Sequence, residues 1–177
     1  MKTIHLTISG PEILMHRFPL ETIDGLAKMT KEEQAEFSAY RDDDTGELFV
    51  PGINIQRCLI SAATFSKGKG RASLKREVAA CVSVSPMKVF LGTKEYEIDS
   101  RAVVVPATKG RIVRHRPMLK DWELTFEVEY DEILLSEKQV RKVVDDAGKR
   151  VGLLDFRPEK NGPFGKFVVN NWSNGKK

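Results

Sequence analysis

The chain has 177 residues, 41% of them apolar and 31% charged, with a net charge of +4. That length suits a single domain over residues 1–177 with a modest core, and the excess of charge calls for a strongly solvated surface. No stretch approaches the roughly 18 apolar residues that a membrane span needs, and a basic balance favours polyanionic partners over acidic ones.

In chain order, "MKTIHLTISG" alternates instead of running apolar, so it reads as a strand over 3–9 and not as a signal peptide. Ile4, Leu6 and Ile8 face one way, and Gly10 with Pro11 ends the strand. Residues 11–29 are mixed and carry no assignable pattern. Thr30 with Glu33 marks a capped helix over 31–40. "RDDDTGELFVPG" is a polar turn leading into a brief strand at Leu48–Val50. "INIQRCLISAATF", residues 53–65, is apolar most of the way round and reads as a buried helix. A second helix runs from about Ser73 to Val82, and residues 83–91 and 101–105 read as strands, "RAVVVP" with a terminal proline. "WELTFEVEY", residues 122–130, alternates without exception and is a half-buried antiparallel strand. Ser136 with Gln139 caps a helix over 137–147 with the stripe Val140, Val143, Val144 and Ala147; Gly148 is its expected left-handed stop. A loop broken by glycine and proline leads to a last strand over 164–169, and the tail 170–177 is expected to fray. Strands and helices do not alternate regularly. An α+β fold follows, an antiparallel sheet with helices packed on one face.

Three segments concentrate basic side chains. "TKGRIVRHRP" carries Lys109, Arg111, Arg114 and Arg116 with His115, and only "PMLKD" separates it from Trp122. That spacing suits a hairpin in which 111–116 pairs back on 122–127. Arg111 and His115 then meet Glu123 and Glu127, while Arg114 and Arg116 must reach past a sheet edge or into solvent, because a buried unpaired arginine costs too much. Two readings stand: a salt-bridged hairpin, or a grip on a nucleic acid backbone. "SKGKGRASLKRE" carries Lys67, Lys69, Arg71, Lys75 and Arg76, either a solvated loop and helix face or a flexible phosphate-neutralising segment. "GLLDFRPEKNGPFGKF" sets Arg157, Lys160 and Lys166 among glycines and the aromatics Phe156, Phe164 and Phe167, which suit either stacking on bases or packing in the core.

The catalytic inventory is thin. No Walker pattern is present. His5, His16 and His115 lie far apart in sequence, none at metal-ligand spacing, so no metal and no cofactor is expected. Asp42, Asp43 and Asp44 could ligate Mg²⁺, yet aspartates in a turn hydrogen-bond their own backbone. Cys58 and Cys81 lack CxxC spacing and read as two buried thiols, suited to a reducing cytoplasm.

Three segments together resemble the RAMP superfamily, the ferredoxin-like proteins that form CRISPR effector backbones. They are "IHLTISGPEIL"; "LFVPGINIQRCLISAA", with Pro51 and Gly52 at the turn and Arg57 on the helix after it; and "GLLDFRPEKNGPFGKFVV", with Gly152, Gly162 and Gly165 at the glycines. The resemblance covers the two ends and one middle element; residues 83–135 carry no signature of it. It implies a ferredoxin-like (RRM-like) core with insertions, single-stranded RNA or DNA bound along a basic face, and self-association or a ribonucleoprotein complex. The function expected is therefore non-catalytic binding of single-stranded nucleic acid by a cytoplasmic oligomer. The alternatives are a metal-independent endoribonuclease using one of the histidines and a phage structural or scaffold protein.

Overall fold

The computed structural model describes residues 1–17, 25, 28–68, 70, 72–105 and 107–175. Its strands are β1 (Lys2–Leu14), β2 (Phe49–Pro51), β3 (Val82–Ser85), β4 (Lys88–Phe90), β5 (Glu97–Val104), β6 (Arg111–Tyr130) and β7 (Val168–Asn174). Its α-helices are α1 (Lys31–Phe37), α2 (Gly52–Ala62), α3 (Lys75–Cys81) and α4 (Glu137–Asp146). The main sheet is antiparallel with order β3-β6-β1-β7, and β5 joins it through β6. β2 and β4 form a separate two-stranded sheet.

The alternation seen in sequence decides which way the sheet faces. Ile4, Leu6 and Ile8 of β1 and Trp122, Leu124, Phe126, Val128 and Tyr130 of β6 point into one core. There they meet Ile55, Cys58, Leu59 and Ala62 of α2 and Val140, Val143 and Val144 of α4. Burying each large apolar side chain contributes about 1.5–3 kcal/mol. Both capping boxes form: Thr30 with Glu33 on α1, and Ser136 with Gln139 on α4. The other face of the sheet carries His5, Thr7 and Ser9 beside Glu123, Thr125, Glu127 and Glu129, and it is open. Among the described residues no helix is long and apolar enough to cross a membrane.

Several elements differ from expectation. β1 runs through Gly10 and Pro11 to Leu14, because Pro11 falls where the ladder to β6 skips a residue and needs no N–H. Within the described residues the tail is paired as far as Asn174: Val168–Asn174 pairs with β1 as β7, and Trp172 donates Nε1–H to Glu137 at 2.8 Å, while residues 176–177 lie outside the described residues. The last strand therefore lies later than 164–169. Gly148 is not the left-handed stop. The chain continues past α4 as a π-turn over Ala147–Val151, and Gly152 takes the left-handed φ of +77°. Gly148 serves another need, since a Cβ there would strike the carbonyl and ring of Phe167.

Gly148→Ala is expected to destabilise the fold by about 1–3 kcal/mol through that overlap. Urea unfolding monitored by tryptophan fluorescence checks it, and an unchanged midpoint would contradict the packing role.

Candidate nucleic-acid interface

The expected turn at 117–121 does not exist. β6 passes straight through it, with a left-handed residue at Asp121 (φ +47°), and residues 111–118 pair with β5 instead of with 122–127. The β-branched run "AVVV" supplies the partner strand, and the connection is the loop 105–110, where Lys109 takes φ +57°. Since β1 reaches only to Met118, β5 and the first part of β6 form a two-stranded arm beyond the sheet. Glu123 and Glu127 are thus unavailable to the basic stretch; His5 Nδ1 lies 3.2 Å from Glu127 Oε1.

Residues paired in register share a face of the arm. Asp99↔Arg116, Arg101↔Arg114 and Val103↔Ile112 lie on one side, and Ser100↔His115, Ala102↔Val113 and Val104↔Arg111 on the other. The first side turns toward the glycine-broken loop. Arg116 is only 5% exposed, against the expectation that it reach solvent, and its Nη1 donates to Asp155. Arg101 chelates Asp99 through two hydrogen bonds of 2.6 and 2.7 Å, and its guanidinium lies 5.4 Å from the ring centre of Phe156 and 4.8 Å from that of Phe164. Burial counts against the Asp155 carboxylate. His16 at 3.4 Å, the Arg116 charge and the Phe156 N–H together outweigh it and bring its pKa down to about 2.

At the root of the arm opens a cleft of about 600 Å³. α2 lines it with Asn54, Arg57, Cys58 and Ser61, a helical spacing that puts all four on one face. Lys75 enters from the start of α3, His16 from the end of β1, and Asp155, Arg157 and Glu159 from the loop. The loop closes on itself at its glycines: a Cβ at Gly162 would meet the Phe156 carbonyl, and one at Gly165 (φ +73°) the Leu153 backbone. Cys58 donates Sγ–H to Gly152 O at 3.2 Å, and burial pushes its pKa up to about 12, so it is a packed thiol and not a nucleophile.

The sequence-derived cations are sorted unevenly. Lys75 and Arg157 line the cleft, Arg157 already holding Glu159 at 2.6 Å and Leu154 O at 2.8 Å. Arg114 is half-buried on the side of the arm that faces the loop. Lys67, Arg76, Lys109, Arg111 and Lys160 are exposed, and like Arg57, Lys75 and Arg114 they have no ion pair among the described residues. Lys166 lies elsewhere, beside Lys149 in a hollow with Pro11 and Asp121. Lys69 and Arg71 lie outside the described residues. Arg101 is the contributor that sequence reading passed over; its sole signal was the charge inside "RAVVVP".

The remaining constellations resolve locally. Asp42 accepts from Lys88 at 2.5 Å, from Thr45 Oγ1 at 2.9 Å and from Thr45 N–H at 3.0 Å, which hold its pKa down to about 2. Among the described residues no group of three or more His, Cys, Asp and Glu side chains could hold a metal ion. His115 Nδ1 lies 2.8 Å from Ser100 Oγ on the arm. The open sheet face presents Glu123, Glu127 and Glu129 and, among the described residues, no Phe, Tyr or Trp; its one ring is His5, which lies against Glu127, so it lacks the paired aromatics of an RRM stacking platform.

No family model matches the chain, and no curated protein does. A chain in a cryo-EM structure of the Type III-B Cmr-beta bound to cognate target RNA matches it at a TM-score of 0.62 and 11% identity over 98% of its length. The present chain spans 60% of that chain. The likeness shows the fold: α+β with an antiparallel sheet and helices on one face, consistent with a ferredoxin-like core carrying insertions.

Because Asp155 is held below its ordinary value, it contributes stability that is present above pH 4 and is lost as pH falls toward 2. Asp155→Asn is therefore expected to lose about 2 kcal/mol at pH 7, with the gap to the native chain closing between pH 4 and 2. Urea titrations across that range measure it; a pH-independent gap would contradict the assignment.

Proposed function

We propose that this chain is a RAMP-superfamily protein that binds single-stranded nucleic acid, RNA foremost, without cutting it, and assembles along the strand as an oligomer. One observation carries the reading: Arg57 and Lys75 in the cleft and Arg114 on the loop-facing side of the arm have no carboxylate partner among the described residues, while Arg101 is matched to Asp99 within the arm and Arg116 to Asp155 of the loop. Unmatched cations suit the phosphates of a single strand, and the half-buried Phe156, next to Asp155 on the loop and under Arg101, suits a base. The Cmr-beta structure that contains the neighbouring chain was determined bound to target RNA, which supports RNA over DNA. The glutamates of the open sheet face repel a polyanion, which also favours the groove.

A second reading is favoured by His16, placed against Asp155 in the same cleft, as a carboxylate-oriented base acting on RNA without metal. Fragments formed by the native chain and absent with His16→Ala would select it; intact RNA after long incubation selects the binding protein.

Affinity for a single-stranded RNA oligonucleotide is expected to fall steeply with salt, and Arg57→Ala or Arg114→Ala to weaken it about fivefold. Each should also lower the slope of log K against log salt by about 0.7. Lys166→Ala, away from the cleft, should change neither. Fluorescence anisotropy over a salt series reads all three, and no binding at low ionic strength would overturn the proposal.

A further inference from the structure

We infer that the hollow at the start of β7 docks the C-terminus of a partner protein: its terminal carboxylate sits between Lys149 and Lys166, and the residues before it extend along the edge of β7. The inference does not depend on nucleic acid binding in the cleft. The hollow encloses about 600 Å³, the size of a ligand site, and Gly10, Pro11, Phe167 and Val168 give it an apolar lining. Its charged groups are Lys149, Lys166 and Asp121, all three exposed. None of the three has an ion pair among the described residues. The two lysines are held side by side by the main chain. Phe167 N–H donates to Gly148 O at 3.2 Å, Lys149 follows Gly148 and Lys166 precedes Phe167. A Cβ at Gly148 would strike the Phe167 carbonyl, and one at Gly10 the carbonyl of Lys166, so these segments meet at glycine distance.

The mixed lining selects the occupant. Two amines call for one anion, and charge-assisted bonds from both make it a strong hold. A nucleic acid strand fits poorly, because Asp121 and the exposed Glu123 two residues on would face its neighbouring phosphates. A single carboxylate on an apolar body, with N–H groups for Asp121 to accept, satisfies every part of the lining, and the end of a polypeptide is such a group. β7 supplies the direction of approach. It closes the sheet order with β1 as its one strand neighbour among the described residues, and Val168–Asn174 contains no charge and no proline to blunt the edge. A peptide added antiparallel to β7 ends beside Val168, which lines the hollow, and so delivers its carboxylate to the two lysines.

The test titrates the full chain into fluorescein-labelled hexapeptides ending in Val, Leu or Phe, each as the free acid and as the C-terminal amide, and reads anisotropy. At least one free acid should bind saturably, with its amide about tenfold weaker. Lys149→Ala and Lys166→Ala, both at exposed positions, should each weaken the acid about fivefold and leave the amide unchanged. N-methylation of alternate peptide residues, which removes the donors for strand pairing, should weaken it as well. Absence of binding by all three acids, or equal affinity of acid and amide, would overturn the inference. Acetyl-leucine that competes as well as the hexapeptide would also overturn it, by marking a site for small free acids. So would a single-stranded RNA that displaces the peptide, by placing both ligands in one site. RNA affinity measured on the same two variants keeps the readings apart: RNA binding that stands while the peptide fails removes the docking site alone.

Discussion

The pairing of Arg116 with Asp155 joins two parts of the chain that lie 39 residues apart in sequence. Arg116 belongs to the arm and Asp155 to the glycine-broken loop, and the guanidinium is almost fully buried between them. Its Nη2 also lies 3.8 Å from Asp99, while its Nε and Nη2 find no hydrogen-bond partner among the described residues. A buried ion pair with unfilled donors is a poor device for raising stability, because desolvation offsets most of the attraction. It is a good device for fixing an orientation, since a strand slid or rotated on the loop would strand a charge in the interior.

Around that pair the rest of the interface falls into place. Arg101, laid over Phe156 and Phe164 and tied to Asp99, adds a second hold between the same two parts. With the arm held, Arg114 stays on its loop-facing side, while Arg57 and Lys75 line the cleft whose wall includes Asp155 of that loop. Charge is thereby divided by side: basic along the groove, acidic across the open sheet face.

Much of the fold was legible because it rests on local rules. Strict alternation over 122–130 gave the core strand, and the pairs Thr30 with Glu33 and Ser136 with Gln139 located two helix starts to the residue. The arm was not legible. "PMLKD" has the length of a turn, and nothing local reveals that β6 runs on through it to collect a different partner, a choice made by the long-range match between 97–104 and 111–118. Gly148 misled for a like reason, since its constraint comes from Phe167, a neighbour distant in sequence. The site was half legible: clustered lysines and arginines announced a basic surface, but only the tertiary structure distinguishes Arg114, which keeps its charge available, from Arg116 two residues on, which spends it on Asp155.

The salt dependence of RNA binding by Arg116→Met tests the central claim most directly, because this side chain cannot touch a ligand in the folded protein. If the buried pair orients the arm, affinity falls at least tenfold while the slope of log K against log salt stays that of the native chain. Native affinity in this variant, or a slope reduced as for a lost phosphate contact, would contradict the account.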